Sequence, residues 1–192
     1  MIELNEKQTA LLEFVKEMHG DQKRKYTNEP YWYHPYQVAV LADTYLRKTV
    51  REVDMGIEIA LCHDLYEDTD CNYSKLHSKL KEIGYSNLFA TMIADKVQEL
   101  TDVYTPENYP DLNREKRKLM EAARLGKCSR LAQSIKYADM IDNTKSIVAH
   151  DKKFAPTYLK EKTELLDFMR KGNIDMFVKC CYTLQVAKDS II

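Results

Sequence analysis

The chain has no Cys-x-x-C pair, little glycine or proline, and no long apolar run. Its five cysteines, Cys62, Cys71, Cys128, Cys180 and Cys181, are an odd number without metal-ligand spacing. That argues against a disulfide framework and a zinc–thiolate site, and for a reducing compartment. No stretch approaches the ~20 apolar residues a membrane-spanning helix needs. The N-terminal segment carries charges throughout its apolar pattern and reads as an amphipathic helix, not a signal peptide; a cytoplasmic protein is expected. An excess of one charge is also missing: 29 Lys and Arg against 30 Asp and Glu leave a net charge of -1. This gives no global support for nucleic-acid or membrane binding. There is no Gly-rich phosphate loop, and no Ser or Cys nucleophile with a base partner is visible.

What is present is helical periodicity along nearly the whole chain. Leu11, Leu12, Val15 and Met18 mark a first helix ending near Gly20. Residues 21–33 read as a loop. A second helix starts at His34-Pro35, since proline suits a first helical turn, and buries Val38, Leu41, Tyr45 and Leu46. A third runs from about Arg51 to Glu67, with Val53, Ile57, Ala60, Leu61 and Leu65 inward. Leu76, Leu80 and Ile83 line a short helix closed by Gly84, and Leu88, Phe89, Met92, Ile93 and Val97 mark the next. Residues 101–112 look like an exposed loop. Helices then follow over Asn113 to Leu125, Ser129 to about Ala149, 156–170 and 174–189. With no strand pattern, 192 residues suit one all-α domain of about eight or nine helices.

The chemistry concentrates in Ala60-Leu61-Cys62-His63-Asp64-Leu65-Tyr66-Glu67-Asp68-Thr69. Residues four apart share a helix face, which stacks His63 under Glu67 and Asp64 under Asp68. Carboxylates at a helix C-terminus oppose the dipole, and a sequence that accepts this cost twice gains something from it. A hydrogen-bonded core histidine with a solvated acidic cap is the plainer alternative for this stretch alone. It has company: His34-Pro35 follows the aromatic run Tyr31-Trp32-Tyr33, and Asp139 lies on an apolar helix within Ser134 to Asn143. A buried aspartate needs a charge partner. Two His and two Asp suit Mn²⁺, Fe²⁺ or Zn²⁺ better than Ca²⁺.

The order His34, His63-Asp64, Asp139 resembles the H…HD…D pattern of HD-domain phosphohydrolases. It is most similar to the hydrolase domain of RelA/SpoT-type enzymes and the small stand-alone alarmone hydrolases. Three segments carry the resemblance: Arg24-Lys25 ahead of Pro30-Tyr31-Trp32-Tyr33-His34-Pro35, His63 through Thr69, and Lys136 through Asn143. They cover about residues 20–150, with the C-terminal helices over about 155–190 compatible, so that residues 1–192 would form a single HD-type domain. The resemblance implies one divalent metal, usually Mn²⁺, on His34, His63, Asp64 and Asp139. It implies that Glu67 and Asp68 position or deprotonate the attacking water. Arg24, Lys25, Lys136, Asn143 and Ser146 would contact the nucleotide. The implied reaction releases the 3′-pyrophosphate of (p)ppGpp, leaving GDP or GTP. The implied partner is a small nucleotide, with no nucleic acid and no membrane; homo-oligomerisation stays open. The alternatives are an HD phosphohydrolase for another nucleotide, such as a monophosphate or an NADPH-type phosphate, and a non-catalytic nucleotide sensor. All six metal and acid positions are intact, which argues against the sensor.

Other features are weaker. Tyr26-Thr27-Asn28-Glu29 departs from the Ser or Asp and Gly common in relatives, which leaves the choice of base open. Tyr26, Tyr31, Trp32 and Tyr33 suit either base stacking or packing. Arg114, Lys116, Arg117 and Lys118 read as a solvated face. His19, His77 and His150 read as surface residues, and Cys180-Cys181 as core or interface.

Overall fold

The computed structural model describes residues 2–46 and 55–191. It is all-α, and among the described residues the only β pairing is an isolated bridge between Lys23 and Pro30. The expected start of the third helix at Arg51 and the inward Val53 lie outside the described residues. The chain divides into two compact units, Met1–Thr101 and Asp102–Ile192. No helix among the described residues is long and apolar enough to cross a membrane.

The first unit contains α1 (Glu6–His19), α2 (Tyr33–Leu46), α3 (Gly56–Cys62), α4 (Leu65–Asp68), α5 (Tyr73–Ile83) and α6 (Asn87–Leu100). A capping box starts α1: the Gln8 backbone N–H donates to Asn5 Oδ1 at 2.9 Å, and the Asn5 N–H donates to Gln8 Oε1 at 3.1 Å. At the centre lies α3, packed against α1, α2 and α6, with every residue buried. Each fully buried Ile or Leu there contributes about 1.5–3 kcal/mol of transfer free energy. Glu58 is the exception in chemistry, and its Oε1 accepts from Gln8 Nε2 at 3.1 Å and from the Tyr85 hydroxyl at 3.0 Å.

Three expectations about burial shift. On α2 the buried face is Val38, Ala39 and Ala42, while Leu41, Tyr45 and Leu46 are half-buried. The small side chains let α3 approach: a Cβ on Gly56 would lie 2.6 Å from Leu46 Cδ1. On α6, Leu88 is exposed and Ala90, Ile93, Ala94, Val97 and Leu100 form the buried stripe. His19 is buried and not a surface residue. The expected third helix is also broken, because His63 and Asp64 form a turn between α3 and α4.

The second unit contains α7 (Arg114–Leu125), α8 (Arg130–His150), α9 (Ala155–Phe168) and α10 (Ile174–Ser190). Asn113, Ser129 and Asn173 cap α7, α8 and α10 through their side chains. The buried Gln133 side chain organises the connections: its Nε2 donates to the Leu125 and Gly126 carbonyls at 3.1 Å, and its Oε1 accepts the Lys171 N–H at 2.9 Å. Of the cysteine pair, Cys180 is buried and Cys181 half-buried.

Candidate metal centre

His34 sits in the first turn of α2, buried, with its backbone N–H donating to the Tyr31 carbonyl at 2.9 Å. His63 and Asp64 occupy the turn after α3. The apolar α3 carries them into the interior, where His63 is 2% exposed and Asp64 9%. The α4 helix ends at Thr69, whose hydroxyl donates to the Leu65 carbonyl at 2.6 Å and accepts the Cys71 N–H at 3.0 Å.

Three side chains converge here. His63 Nε2 lies 3.0 Å from Asp64 Oδ1, and His34 Nε2 lies 3.5 Å from Asp64 Oδ2. The two imidazole rings meet edge to face at 5.2 Å between centroids. His63 Nδ1 donates to the Ala60 carbonyl at 2.8 Å. That bond fixes the neutral tautomer and turns the Nε2 lone pair toward the carboxylate. A lone pair facing a carboxylate oxygen at 3.0 Å is repulsive unless a positive charge stands between or beside them. Two imidazole nitrogens and one carboxylate are a donor set that suits a first-row divalent cation, so the residues present fit a metal.

Asp68 follows one turn after Asp64, and its N–H donates to the Asp64 carbonyl at 3.0 Å. Although the residue is exposed, its carboxyl titrates above the usual carboxylate range. Desolvation is the main cause and the Asp64 charge the next, opposed by the Tyr31 hydroxyl, His19 and His63. A raised value equips Asp68 to exchange a proton closer to neutrality than an ordinary aspartate. Glu67 is exposed on α4.

Arg24 and Lys25 lie on a tight hairpin that the sequence presents only as a loop. The Tyr31 N–H donates to the Gln22 carbonyl at 2.9 Å, and the Arg24 N–H to the Glu29 carbonyl at 2.8 Å. Asn28 closes it in the left-handed region at φ 57°, a conformation asparagine tolerates better than most residues. Lys25 Nζ stands 4.8 Å over the Tyr26 ring.

In the second unit, Lys136, Asp139, Asn143 and Ser146 follow one another along α8. Asp139 is buried, with Lys136 Nζ 3.0 Å from Oδ2 and Asn143 Nδ2 donating to Oδ1 at 2.5 Å. Ser146 Oγ donates to the Asn143 carbonyl at 3.2 Å. Burial pushes the Asp102 carboxyl up, but Lys136, Lys118 and Lys162 outweigh it, so its pKa falls below the ordinary 3.8. The basic run on α7 is engaged in structural pairs. Arg114 forks onto Glu161 at 2.6 and 2.9 Å, Arg117 donates to the Leu112 carbonyl, and Lys118 meets Asp102 at 3.4 Å.

Sequence reasoning missed His19 and read Tyr31 as stacking on a base or packing, not as a partner of Asp64. His19 stacks on the Tyr31 ring at 4.7 Å, and the Tyr31 hydroxyl donates to Asp64 Oδ2 at 2.9 Å. A signal existed: Leu11, Val15 and His19 follow at four-residue steps on one buried face.

No family model matches the chain. Over 73 residues it is 42% identical to a guanosine-3′,5′-bis(diphosphate) 3′-pyrophosphohydrolase of Aquifex aeolicus, covering 36% of this chain and 9% of that protein. Over 135 residues it is 31% identical to guanosine-3′,5′-bis(diphosphate) 3′-pyrophosphohydrolase MESH1 of Danio rerio, covering 70% of this chain and 65% of the relative. The chain thus spans less than two thirds of either relative. The fold matches a solved structure described as a metazoan ortholog of SpoT that hydrolyses ppGpp and plays a role in starvation responses. The TM-score is 0.77, with 22% identity and complete coverage of both chains. The chain is therefore similar in sequence, over part of its length, to proteins named as guanosine-3′,5′-bis(diphosphate) 3′-pyrophosphohydrolases, and in fold to that solved structure.

Proposed function

We propose that this chain is a metal-dependent hydrolase that removes the 3′-pyrophosphate of (p)ppGpp, giving GDP or GTP and pyrophosphate. The observation that carries the reading is the buried convergence of His34 and His63 on the Asp64 carboxylate, with His63 held in the tautomer that presents Nε2. In this reading one divalent ion, most simply Mn²⁺, is held by His34, His63, Asp64 and Asp139. Residues 1–192 act together as one HD-type domain, and the setting is cytoplasmic. Both relatives named above support the nucleotide assignment.

A bound divalent ion supplies an acidified water and withdraws charge from a phosphoryl oxygen. The chain's own residues do the rest. Asp68, with its raised pKa, accepts the proton of the attacking water. Glu67, on the same short helix, orients that water. Arg24 and Lys25 meet the base and phosphates from the hairpin, and Lys136, Asn143 and Ser146 from α8. Phosphoryl transfer asks mostly for positioning and charge stabilisation, which such a set provides.

The test is a Mn²⁺-supplemented panel of ppGpp, pppGpp, adenine analogues, nucleoside monophosphates and NADPH. Pyrophosphate release from ppGpp, lost in His63→Ala and Glu67→Ala, is the expected result. Turnover of monophosphates or NADPH with ppGpp untouched would transfer the reading to another nucleotide.

A further inference from the structure

Tyr31 is fixed from several directions. Its N–H donates to the Gln22 carbonyl at 2.9 Å, and its carbonyl accepts the His34 N–H at 2.9 Å. One face of its ring stacks on His19 at 4.7 Å and 28°, and it meets His34 edge to face at 6.0 Å. The phenol thus has little freedom, and its hydroxyl ends 2.9 Å from Asp64 Oδ2. His19 is itself anchored, with Nδ1 donating to Gln22 Oε1 at 2.8 Å. Gln22 therefore ties both members of the stack to one point of the hairpin, through its side chain and its carbonyl.

We propose that Tyr31 is a positioning residue for Asp64: its hydroxyl holds Oδ2, so that the carboxylate plane is set and Oδ1 stays directed at His63, while the His19 ring backs the phenol. Outer partners of this kind orient a ligating carboxylate before the metal arrives, and losing one typically lowers metal affinity by about 10–100-fold. The phenol suits the task because its single O–H donates to one carboxylate oxygen and leaves Oδ1 facing His63. His19 acts through its ring face, because Nδ1 is engaged with Gln22 and the buried Nε2 has no hydrogen-bond partner among the described residues.

The inference rests on Asp64 being a metal ligand, and calorimetric Mn²⁺ titration of the full chain tests both separately. Tyr31→Phe keeps the stack and removes only the hydroxyl. It is expected to weaken Mn²⁺ binding about tenfold or more while the metal-free melting temperature stays close to wild type. His19→Phe preserves the stacked ring and is expected to bind Mn²⁺ like wild type. Wild-type affinity in Tyr31→Phe, with His63→Ala unable to bind, would overturn the positioning role and leave the metal reading standing. Loss of affinity in His19→Phe equal to that in Tyr31→Phe would overturn the backing role of the ring. Wild-type affinity in His63→Ala would overturn the metal reading and this inference with it.

Discussion

Among single residues, Asp139 and Lys136 show how a buried charge pair ties folding to a proposed ligand. Both side chains are almost fully buried and meet at 3.0 Å. Removing one partner of such a pair costs about 3–5 kcal/mol, because the other charge stays buried. Asp139→Ala is therefore expected to lower the chemical-denaturation stability of the metal-free chain by about that much, apart from any effect on metal. Lys136→Met/Asp139→Leu is expected to recover much of it, and equal losses in single and double variants would contradict the pairing. Asp102 gives the pH dependence. Its folded pKa lies below the ordinary 3.8 because Lys136, Lys118 and Lys162 prevail over burial. The sign follows: its stabilisation is fully present above the unfolded value and is lost as pH falls through the folded one. Asp102→Asn is thus expected to melt below wild type at pH 7 and to converge with it near pH 2. A gap that persists in acid would point to a packing defect instead. Residue identity was the most legible level in the sequence, since His34, His63, Asp64 and Asp139 differ in type from the apolar positions around them. His19 was not legible as a buried group because charges and polar residues surround it, and its only mark is the four-residue step from Val15.

At the scale of elements, periodicity located the helices but not always their inward faces. The α10 helix is the clearest case. Met176, Cys180, Leu184 and Ala187 are buried, yet Ile174, Val178, Tyr182 and Val186 are exposed on the opposite face. Apolar residues on both sides leave the moment too weak to tell the faces apart. The α3–α4 break was illegible for a different reason. His63 and Asp64 keep right-handed helical dihedrals through the turn, so no Gly or Pro is needed to mark it. The connection before α10 contains Gly172, and a contact accounts for it. A Cβ there would lie 2.3 Å from Tyr137 Cε2 and 3.1 Å from the Ser134 amide nitrogen. Tyr137 cannot retreat easily, because it is fully buried and its hydroxyl donates to the Met169 carbonyl at 2.7 Å. Gly172→Ala is expected to cost about 1–3 kcal/mol, read as a lowered denaturation midpoint, and the drop should shrink in Gly172→Ala/Tyr137→Leu. Independent, additive losses would show that the ring is not what the new methyl meets.

For the whole molecule, the proposed metal makes stability a function of metal concentration. His34 and His63 face Asp64 in a buried site where His63 can present only a lone pair to the carboxylate without gaining a proton. A cation that binds this arrangement and not the unfolded chain stabilises the fold by about 2.7 kcal/mol at a hundred times its dissociation constant. For a chain of this length each kcal/mol moves the melting temperature by roughly 2–4 °C. Chelation followed by Mn²⁺ at that excess is therefore expected to raise the melting temperature by roughly 5–10 °C. The rise should grow with the logarithm of Mn²⁺ and vanish in His63→Ala. Protonation offers the competing source of positive charge at the same nitrogens, so the Mn²⁺-induced rise should shrink as pH falls and imidazole takes up protons. A melting temperature that ignores Mn²⁺ at every pH would remove the metal from the reading, and a rise that survives in His63→Ala would place it at other residues.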